Sequence, residues 1–209
     1  MSALSLKREN LRSYQLLTAL LLMVGGLNNS YAANYVINPA RTNVRFAIER
    51  FNPPATTGGF YHVKGQLQYD PSLRTGNISL VIPISSLNTG NQAFNIKLTG
   101  SAFFDMKKFP LAYFESTQWY FATSKMSNRK MMSQVTRVDG NLTLHGETHP
   151  ISLTATKFDC YLSPSIKKDV CGGSFTATID RTQWNIDKYV WFGLTKNLNL
   201  NIQVEAVGQ

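Results

Sequence analysis

Histidines and carboxylates are the first side chains to test for chemistry, because they ligate metals and transfer protons. The sequence has three histidines, and His145 and His149 lie close enough across a predicted turn to approach one metal ion. A protein zinc site takes at least three protein ligands, and only Glu147 stands nearby to complete the set. We therefore expect no metal and no cofactor, and we expect His145 to be a turn residue whose ring hydrogen-bonds the backbone.

No motif indicates nucleophilic or acid–base catalysis. The sequence contains no Gly-x-Ser-x-Gly elbow and no glycine-rich phosphate loop between a strand and a helix. Asp70 and Asp105 are predicted to cap turns by accepting backbone N–H groups rather than to form a general acid–base pair. The protein is predicted not to be an enzyme.

The first 32 residues have the character of a targeting signal. A basic start precedes an almost unbroken apolar run over residues 16–24, and the small residues at 30 and 32 predict cleavage after Ala32. The run is too short to span a bilayer, which takes about 20 residues; an uncleaved anchor is the alternative. We expect an exported mature chain that forms one domain, residues 33–209.

Charge narrows the partners only in part. The formal net charge is +9, and the basic residues are scattered apart from the pairs Lys107-Lys108 and Lys167-Lys168. Nucleic-acid binding calls for a clustered basic patch and a recognisable motif, so we expect no nucleic-acid partner. A basic surface is equally compatible with anionic lipid head groups, so transient contact with a membrane surface stays open, as does a homodimer.

Cys160 and Cys171 are the only cysteines. An even number of cysteines in an exported chain favours a disulfide that closes a short loop. By loop-closure entropy such a bridge contributes at most about 3 kcal/mol. A metal pair or a redox dithiol is a weaker alternative, because the spacing is not Cys-x-x-Cys and no histidine stands beside either residue.

All these side chains belong to a sequence in which apolar and polar residues mostly alternate with a period of two. Alternating apolar and polar residues predict strands over residues 43–49, 63–69, 78–82, 113–124, 132–144, 151–158, 175–179 and 197–205. The stretches holding Pro53-Pro54 with Gly58-Gly59, and Cys160 to Gly173, are predicted loops. About eight antiparallel strands predict an all-β barrel or sandwich. An eight-stranded barrel is just wide enough to be filled or to hold one small ligand.

Residues 88–116 interrupt this pattern and are rich in aromatic side chains. Phe94, Lys97 and Leu98 fall at helical spacing and predict one short helix that ends near Thr99. The aromatic residues that follow must lie against something apolar, either a plugged core or a cavity. Periodicity alone favours a plugged core, because core packing is the commoner use of such residues. That outcome would fit a structural or interaction module of the cell envelope.

Several short stretches, in their order and spacing, resemble the YceI family of exported lipocalin-like proteins. They read YVINP at 35–39, GQLQYD at 65–70, LNTG at 87–90, FFD at 103–105, FP at 109–110, FES at 114–116, LTLHG at 142–146, Arg181 with Trp184, and VEAV at 204–207. The resemblance covers essentially the whole mature chain. Cys160 with CGG at 171–173 is similar to a cysteine-bearing branch of that family.

The resemblance implies a lipocalin-like antiparallel barrel in the bacterial periplasm that holds a long isoprenoid or other amphiphilic lipid in an apolar channel. The residues expected to contact this lipid are Phe46, Ile48, Leu80, Ile82, Phe94, Leu98, Phe103, Phe104, Phe109, Phe114, Trp119 and Trp184. The candidates for its head group are Arg45, Arg50, Asn91 and Lys97.

The sequence also departs from the family pattern at two places. It has Arg41-Thr42 where the family usually has His-Ser, and Arg50 where a histidine commonly ends the strand. Polar contacts made by those histidines do not carry over to this chain, although an arginine suits a phosphate head group.

Overall fold

The computed structural model describes residues 32–50, 56–125, 131–190 and 194–209. The predicted signal peptide, apart from Ala32, lies outside the described residues, and so does the side chain of Arg50. Among the helices of the described ranges, none is both long enough and apolar enough to cross a bilayer.

The described part of the chain is built from eleven strands and one α-helix, α1. The strands are β1 (Ala33–Ile37), β2 (Asn43–Arg50), β3 (Thr56–Phe60), β4 (Lys64–Asp70), β5 (Thr75–Pro83), β6 (Leu87–Asn88), β7 (Leu111–Lys125), β8 (Met131–Leu144), β9 (Glu147–Ser163), β10 (Lys168–Asp180) and β11 (Leu194–Gly208), and α1 is Gln92–Thr99.

The strands form one closed antiparallel sheet. The hydrogen-bonded ring runs β1-β4-β5-β7-β8-β9-β10-β11, and β11 pairs back with β1. Three further pairings extend the sheet: β2 pairs with β11, β3 pairs with β2, and β6 pairs with β3. The pairs β1/β2, β3/β4 and β5/β6 therefore each act as one strand with a bend. The predicted fold is confirmed as an eight-stranded barrel with one short helix.

Strand β1 closes the barrel and is absent from the predicted strands. Tyr35 lies opposite Gly208 of β11 on one side and opposite Leu67 of β4 on the other. Tyr35 and Ile37 are buried, which gives β1 an inward face of only two residues. So short an alternation is too weak a signal to identify a strand from sequence.

The predicted alternation is clearest in β11. Leu198, Leu200 and Ile202 are buried in the interior, whereas Asn199 and Asn201 between them are exposed. The inward faces of the other strands join them in one continuous core. Burial of these apolar faces is the main force that closes the sheet into a barrel.

The prediction of a loop at Gly58-Gly59 is wrong, because both glycines lie within β3. Gly58 is opposite Phe46 of β2, and a Cβ atom added there would come within 2.7 Å of the Phe46 ring. The glycine thus leaves room for the ring and is not a turn residue. Pro53-Pro54 of the same predicted loop lies outside the described residues.

The prediction of a loop from Cys160 to Gly173 is also wrong. β9 and β10 continue through this stretch, and only residues 164–167 turn the chain. Cys160 and Cys171 lie directly opposite each other in the strand register and form a disulfide. The disulfide is the predicted one, but it links two paired strands instead of closing an irregular loop.

The barrel has two ends, which we call the helix end and the hairpin end. The helix end carries α1, the His145-Gly146 turn and the 3-10 helix Arg181–Trp184, and the hairpin end carries the β4–β5 and β9–β10 turns. Asn91 caps α1 by accepting the backbone N–H of Phe94 at 3.0 Å, and Leu98 of the helix is buried against the barrel. α1 therefore covers the helix end.

Candidate functional site

The barrel interior contains an apolar cavity of about 60 Å³. Its lining comes from inward-facing side chains of most strands and from the segment after α1. The lining residues are Val44, Phe46, Phe60, Leu80, Ile82, Ile84, Phe104, Ala112, Phe114, Leu142, Leu144, Ile151, Leu153, Ile179, Leu198, Leu200 and Ile202. Every one of these side chains is apolar, so the cavity suits hydrocarbon and offers water no partner.

A second cavity, of about 20 Å³, continues the first toward the helix end. The two share Phe46, Phe104, Leu144 and Leu198. The remaining lining residues of the second cavity are Ile48, Leu98, Phe103, Arg181 and Ile186. The voids thus follow a line from the middle of the barrel to the cover formed by α1, interrupted by the shared side chains.

Aromatic rings fill the interior on the helix side of the cavity. Phe104 meets Phe60 edge-on with ring centroids 5.2 Å apart, and Phe46 lies 5.8 Å from Phe60 and 6.4 Å from Phe104. These three residues, the helix-end rings, all line the cavity. Phe46 and Phe60 belong to strands β2 and β3, whereas Phe104 belongs to the irregular segment after α1, so the position of Phe104 does not depend on strand pairing.

A second aromatic group closes the hairpin end. Tyr69, Trp119, Phe121 and Phe158, the hairpin-end rings, pack with centroids 5.0 to 6.4 Å apart. Burial raises the pKa of the Tyr69 phenol, and the neighbouring Asp70 carboxylate raises it further, so this phenol is neutral at physiological pH. The indole Nε1 of Trp119 is buried without a hydrogen-bond partner among the described residues.

Eight of the twelve predicted lipid-contacting residues line one or both cavities. They are Phe46, Ile48, Leu80, Ile82, Leu98, Phe103, Phe104 and Phe114. The other four, Phe94, Phe109, Trp119 and Trp184, lie elsewhere. Phe94 packs against the core, the Phe109 ring lies 4.8 Å from the His145 ring, and Trp119 is one of the hairpin-end rings. Trp184 is fully buried and donates its indole N–H to the Leu142 carbonyl at 3.1 Å, so its contacts anchor the fold.

The head-group candidates do not converge on the cavities. Arg45 is exposed on the outer face of β2, where its guanidinium donates to Asn201 Oδ1 at 3.1 Å. Asn91 is engaged in capping α1, and the Lys97 ammonium lies 4.7 Å above the Tyr189 ring. Arg50 pairs with Leu194 through the backbone, and its side chain lies outside the described part.

Arg181 is the one basic residue of the described ranges that lines an interior cavity, and sequence reasoning did not single it out as a site residue. Its buried guanidinium donates to the carbonyl oxygens of Ile186, of Lys188 at 3.1 Å and of Thr195 at 3.1 Å. Burial lowers the pKa of Arg181, and the nearby carboxylates of Asp187 and Asp180 counteract this. In the sequence, Arg181 stands out only beside Trp184 as part of the family resemblance, and no local pattern indicates that its partners are backbone carbonyls.

The polar groups considered for catalysis have structural partners. His145 has a positive φ of 51°, and its Nδ1 lies 2.9 Å from the Trp184 carbonyl, which makes Nδ1–H the donor. This confirms the predicted turn role. Asp70 accepts the backbone N–H groups of Ser72 and Leu73 at 2.7 and 2.9 Å, also as predicted. Asp105 also lies in a turn, but there its backbone carbonyl accepts the N–H of Lys108, so the predicted capping by its carboxylate stays a prediction.

Across the residues that the structure describes, no group of three or more His, Cys, Asp or Glu side chains is arranged to hold a metal ion. A larger, open groove of about 1020 Å³ lies on the outer surface. Exposed polar side chains such as Thr154, Thr178 and Asn201 make up much of its lining, which suits water better than a hydrocarbon chain.

Comparison of the sequence with protein-family profiles shows which family the chain belongs to. The sequence profile of the YceI-like domain matches residues 35–206, which is nearly all of the barrel. The chain belongs to the YceI family. The match begins in β1 and ends in β11, so the YceI domain includes both strands whose pairing closes the ring.

Curated relatives in the YceI family are only distantly similar. A UPF0312 protein of Pseudomonas fluorescens is 29% identical over 183 residues, which cover 84% of this chain and 87% of the relative. A UPF0312 protein of Vibrio cholerae is 27% identical over 127 residues, covering 59% of this chain and 62% of the relative. The chain thus matches less than two thirds of the length of the Vibrio cholerae relatives.

Solved structures of similar fold include further YceI proteins. The YceI protein of Campylobacter jejuni superposes with a TM-score of 0.62 at 25% identity, covering 77% of this chain and 90% of that one. A polyisoprenoid-binding domain from Saccharophagus degradans, implicated in plant cell wall breakdown, superposes with a TM-score of 0.59 at 12% identity. That alignment covers 86% of this chain and all of the domain, and at this identity it supports the shared fold alone.

Proposed function

We propose that this YceI protein binds and carries an isoprenoid-type or other amphiphilic lipid in its barrel, without catalysing a reaction. The observation that carries the proposal is the wholly apolar lining of the interior cavity. An aliphatic tail gains about 0.8 kcal/mol for each CH₂ group that it buries, offset by the ordering of the chain. The polyisoprenoid-binding activity of the Saccharophagus degradans domain adds support by analogy of fold.

The size of the cavity sets a condition on this function. Ligand pockets commonly measure about 300–1,000 Å³, and the interior cavity measures about 60 Å³. A lipid-loaded barrel must therefore displace interior side chains. The helix-end rings are the ones to move, because Phe46 and Phe104 separate the two cavities, and Phe104 is held by an irregular segment.

The hairpin end offers an amphiphile one buried hydrogen-bond donor, which a ligand reaches when the loaded cavity extends to the hairpin-end rings, since Trp119 lines neither cavity of the empty barrel. The unpaired Trp119 Nε1–H is buried, and an unsatisfied buried donor costs about 1–3 kcal/mol. A hydroxyl or carbonyl oxygen on the lipid would satisfy this donor. The proposed ligand therefore has a polar head near Trp119 and a tail that runs toward α1.

A second candidate function is a non-enzymatic structural or interaction module of the envelope. The small cavity volume favours it, because side chains already fill most of the barrel. In that case the helix-end rings are a permanent plug, and function lies in the outer surfaces of the protein.

We further propose a periplasmic location. The basic and apolar character of residues 1–32 supports export, and the Cys160–Cys171 disulfide suits an oxidising compartment. Cell fractionation tests this directly: the periplasmic protein should begin at Ala33 by N-terminal sequencing, whereas an uncleaved N-terminus in the membrane fraction would contradict it.

Native mass spectrometry tests the binding function. Protein purified without detergent should carry one lipid that organic solvent removes, and the delipidated protein should take up one molecule of farnesol. Protein that is empty on purification, and takes up no isoprenoid afterwards, would favour the envelope module instead.

A further inference from the structure

The tip of the β9–β10 hairpin, residues 161–168, exposes large apolar side chains to solvent. The exposed fraction is 53% for Tyr161, 66% for Leu162 and 51% for Ile166. Exposed positions further down β9, such as Thr154 and Thr156, are polar. Apolar exposure is therefore a property of this tip and not of the strand.

The tip is held rigidly above the barrel. The disulfide Cys160–Cys171 joins its two strands at the base, and the Lys167 N–H donates to the Ser163 carbonyl at 2.8 Å to close the turn. The apolar side chains are thus fixed in an exposed arrangement. A contact made by such a preformed surface loses little conformational entropy.

Positive charge accompanies the apolar side chains. Lys167 and Lys168 are exposed at the turn itself, and the exposed carboxylates of Asp159 and Asp169 lie lower on the two strands, outside residues 160–168. The β4–β5 turn at the same end repeats the combination, with exposed Leu73 followed by Arg74. Both turns place the cation in the left-handed region, with φ of 53° at Lys167 and 54° at Arg74.

We propose that residues 161–168 dock on an anionic phospholipid bilayer, with the Leu73-Arg74 turn as a second contact. Aliphatic and aromatic side chains next to cations match the boundary between acyl chains and anionic head groups. A second copy of this chain fits less well, because a two-fold contact would bring the same lysines together. The inference rests on the proposed function only in that docking brings the barrel to its source of lipid.

The other exposed aliphatic residue beside a lysine provides a matched control. Ile96 of α1 is exposed to the same 66% as Leu162 and precedes Lys97, but it lies at the helix end. Its neighbouring lysine is placed over the Tyr189 ring. The double substitution Ile96→Ser with Lys97→Gln removes one exposed aliphatic side chain and the adjacent cation from the opposite end of the barrel, and its exact counterpart at the tip is Ile166→Ser with Lys167→Gln.

Co-sedimentation of the full-length mature protein with vesicles tests the proposal. The vesicles contain phosphatidylcholine with about 30% phosphatidylglycerol, or phosphatidylcholine alone. Wild-type protein should bind the anionic vesicles more tightly, and about 1 M salt should abolish this preference. Lys167→Gln with Lys168→Gln should weaken binding about 25-fold, since each cation near such a surface contributes about fivefold.

The double substitution Leu162→Ser with Ile166→Ser should weaken binding at least tenfold, and the helix-end control should stay within about twofold of wild type. Equal losses in the tip and control variants would overturn the proposal, and so would binding that neither tip variant changes. A tip variant that alters only self-association in sedimentation equilibrium would assign the surface to a second copy, which also overturns it.

Native mass spectrometry of the same variants separates this proposal from the binding function. Residues 161–168 line neither interior cavity, so the tip variants should keep the lipid found in wild type. Protein that binds vesicles but carries no lipid would refute the carrier function alone. Protein that carries lipid but ignores anionic vesicles would refute docking alone.

Discussion

At the scale of single residues, the important feature of the cavity is the space that two aromatic side chains occupy. Phe46 and Phe104 occupy the position where the two interior cavities would otherwise join. A ring there stabilises the empty barrel by packing and excludes a lipid tail from the same space. Stability of the empty state and capacity for lipid therefore oppose each other at these residues.

Phe104→Ala should lower the stability of the empty protein but increase the stabilisation that lipid provides. Loss of a buried phenylalanine costs about 3–5 kcal/mol, or about 6–20 °C in Tm for a domain of this size. Added farnesol should restore more of this loss than in Phe175→Ala, since both rings are buried but Phe175 lines neither cavity and is not one of the hairpin-end rings. Equal restoration in the two variants, measured by thermal unfolding, would contradict the account.

Trp119→Phe isolates the role of the buried indole N–H. The substitution keeps an aromatic ring but removes the unpaired donor, so we expect the empty protein to be destabilised by less than about 1 kcal/mol. Affinity for farnesol should fall by about two- to tenfold, the value of one hydrogen bond. Affinity for farnesene, its hydrocarbon counterpart, should not change. A parallel fall for both probes in calorimetric titration would show that Trp119 contributes packing alone.

At the scale of elements, one buried cation organises the irregular segment that covers the helix end. The Arg181 guanidinium joins the carbonyls of Ile186, Lys188 and Thr195, so it connects the 3-10 helix, the chain after it and the start of β11. These carbonyls lie outside regular strand pairing and depend on the side chain for a donor. The planar fork of an arginine can reach several acceptors at once.

Arg181→Lys should destabilise the protein by about 3–5 kcal/mol, because one ammonium cannot replace the fork and leaves buried carbonyls unpaired. Amide hydrogen exchange should rise first in residues 186–190 and 194–195. Lys196→Gln is the control: it removes an exposed cation 3.0 Å from Asp180, and such a surface pair contributes about 0–1 kcal/mol. Similar urea midpoints for the two variants would contradict the role assigned to Arg181.

The elements that sequence predicted are those with strong periodicity. β11 follows its apolar spacing, and the His145-Gly146 turn lies at the predicted position, whereas α1 forms on a weaker pattern in which Leu98 is buried and Ile96 is exposed. β1 was missed because its inward face has two residues, and β3 was misread because its glycines signal a turn. Gly58 is required instead by the close approach of the Phe46 ring, a tertiary contact that no local pattern contains.

At the scale of the whole molecule, the sequence predicted an apolar interior but could not predict its volume. Most of the residues expected to contact lipid do line the cavities: those on strands face inward by alternation, whereas Leu98, Phe103 and Phe104 belong to α1 and the segment after it. The head-group candidates do not converge there, because Arg45 lies on the outer face of β2, as its alternation with Val44 and Phe46 implies, and Asn91 and Lys97 are engaged in and beside α1. Whether rings fill or border a space depends on rotamers and packing across many strands.

The central claim is that the closed barrel opens to hold a lipid. An electron-density map of the interior, from crystals of detergent-free protein, tests it most directly. We predict continuous elongated density from Trp119 to Leu98, with the Phe46 and Phe104 rings moved aside and a cavity of at least about 300 Å³. Both rings in their present places around an empty cavity of about 60 Å³ would contradict the claim.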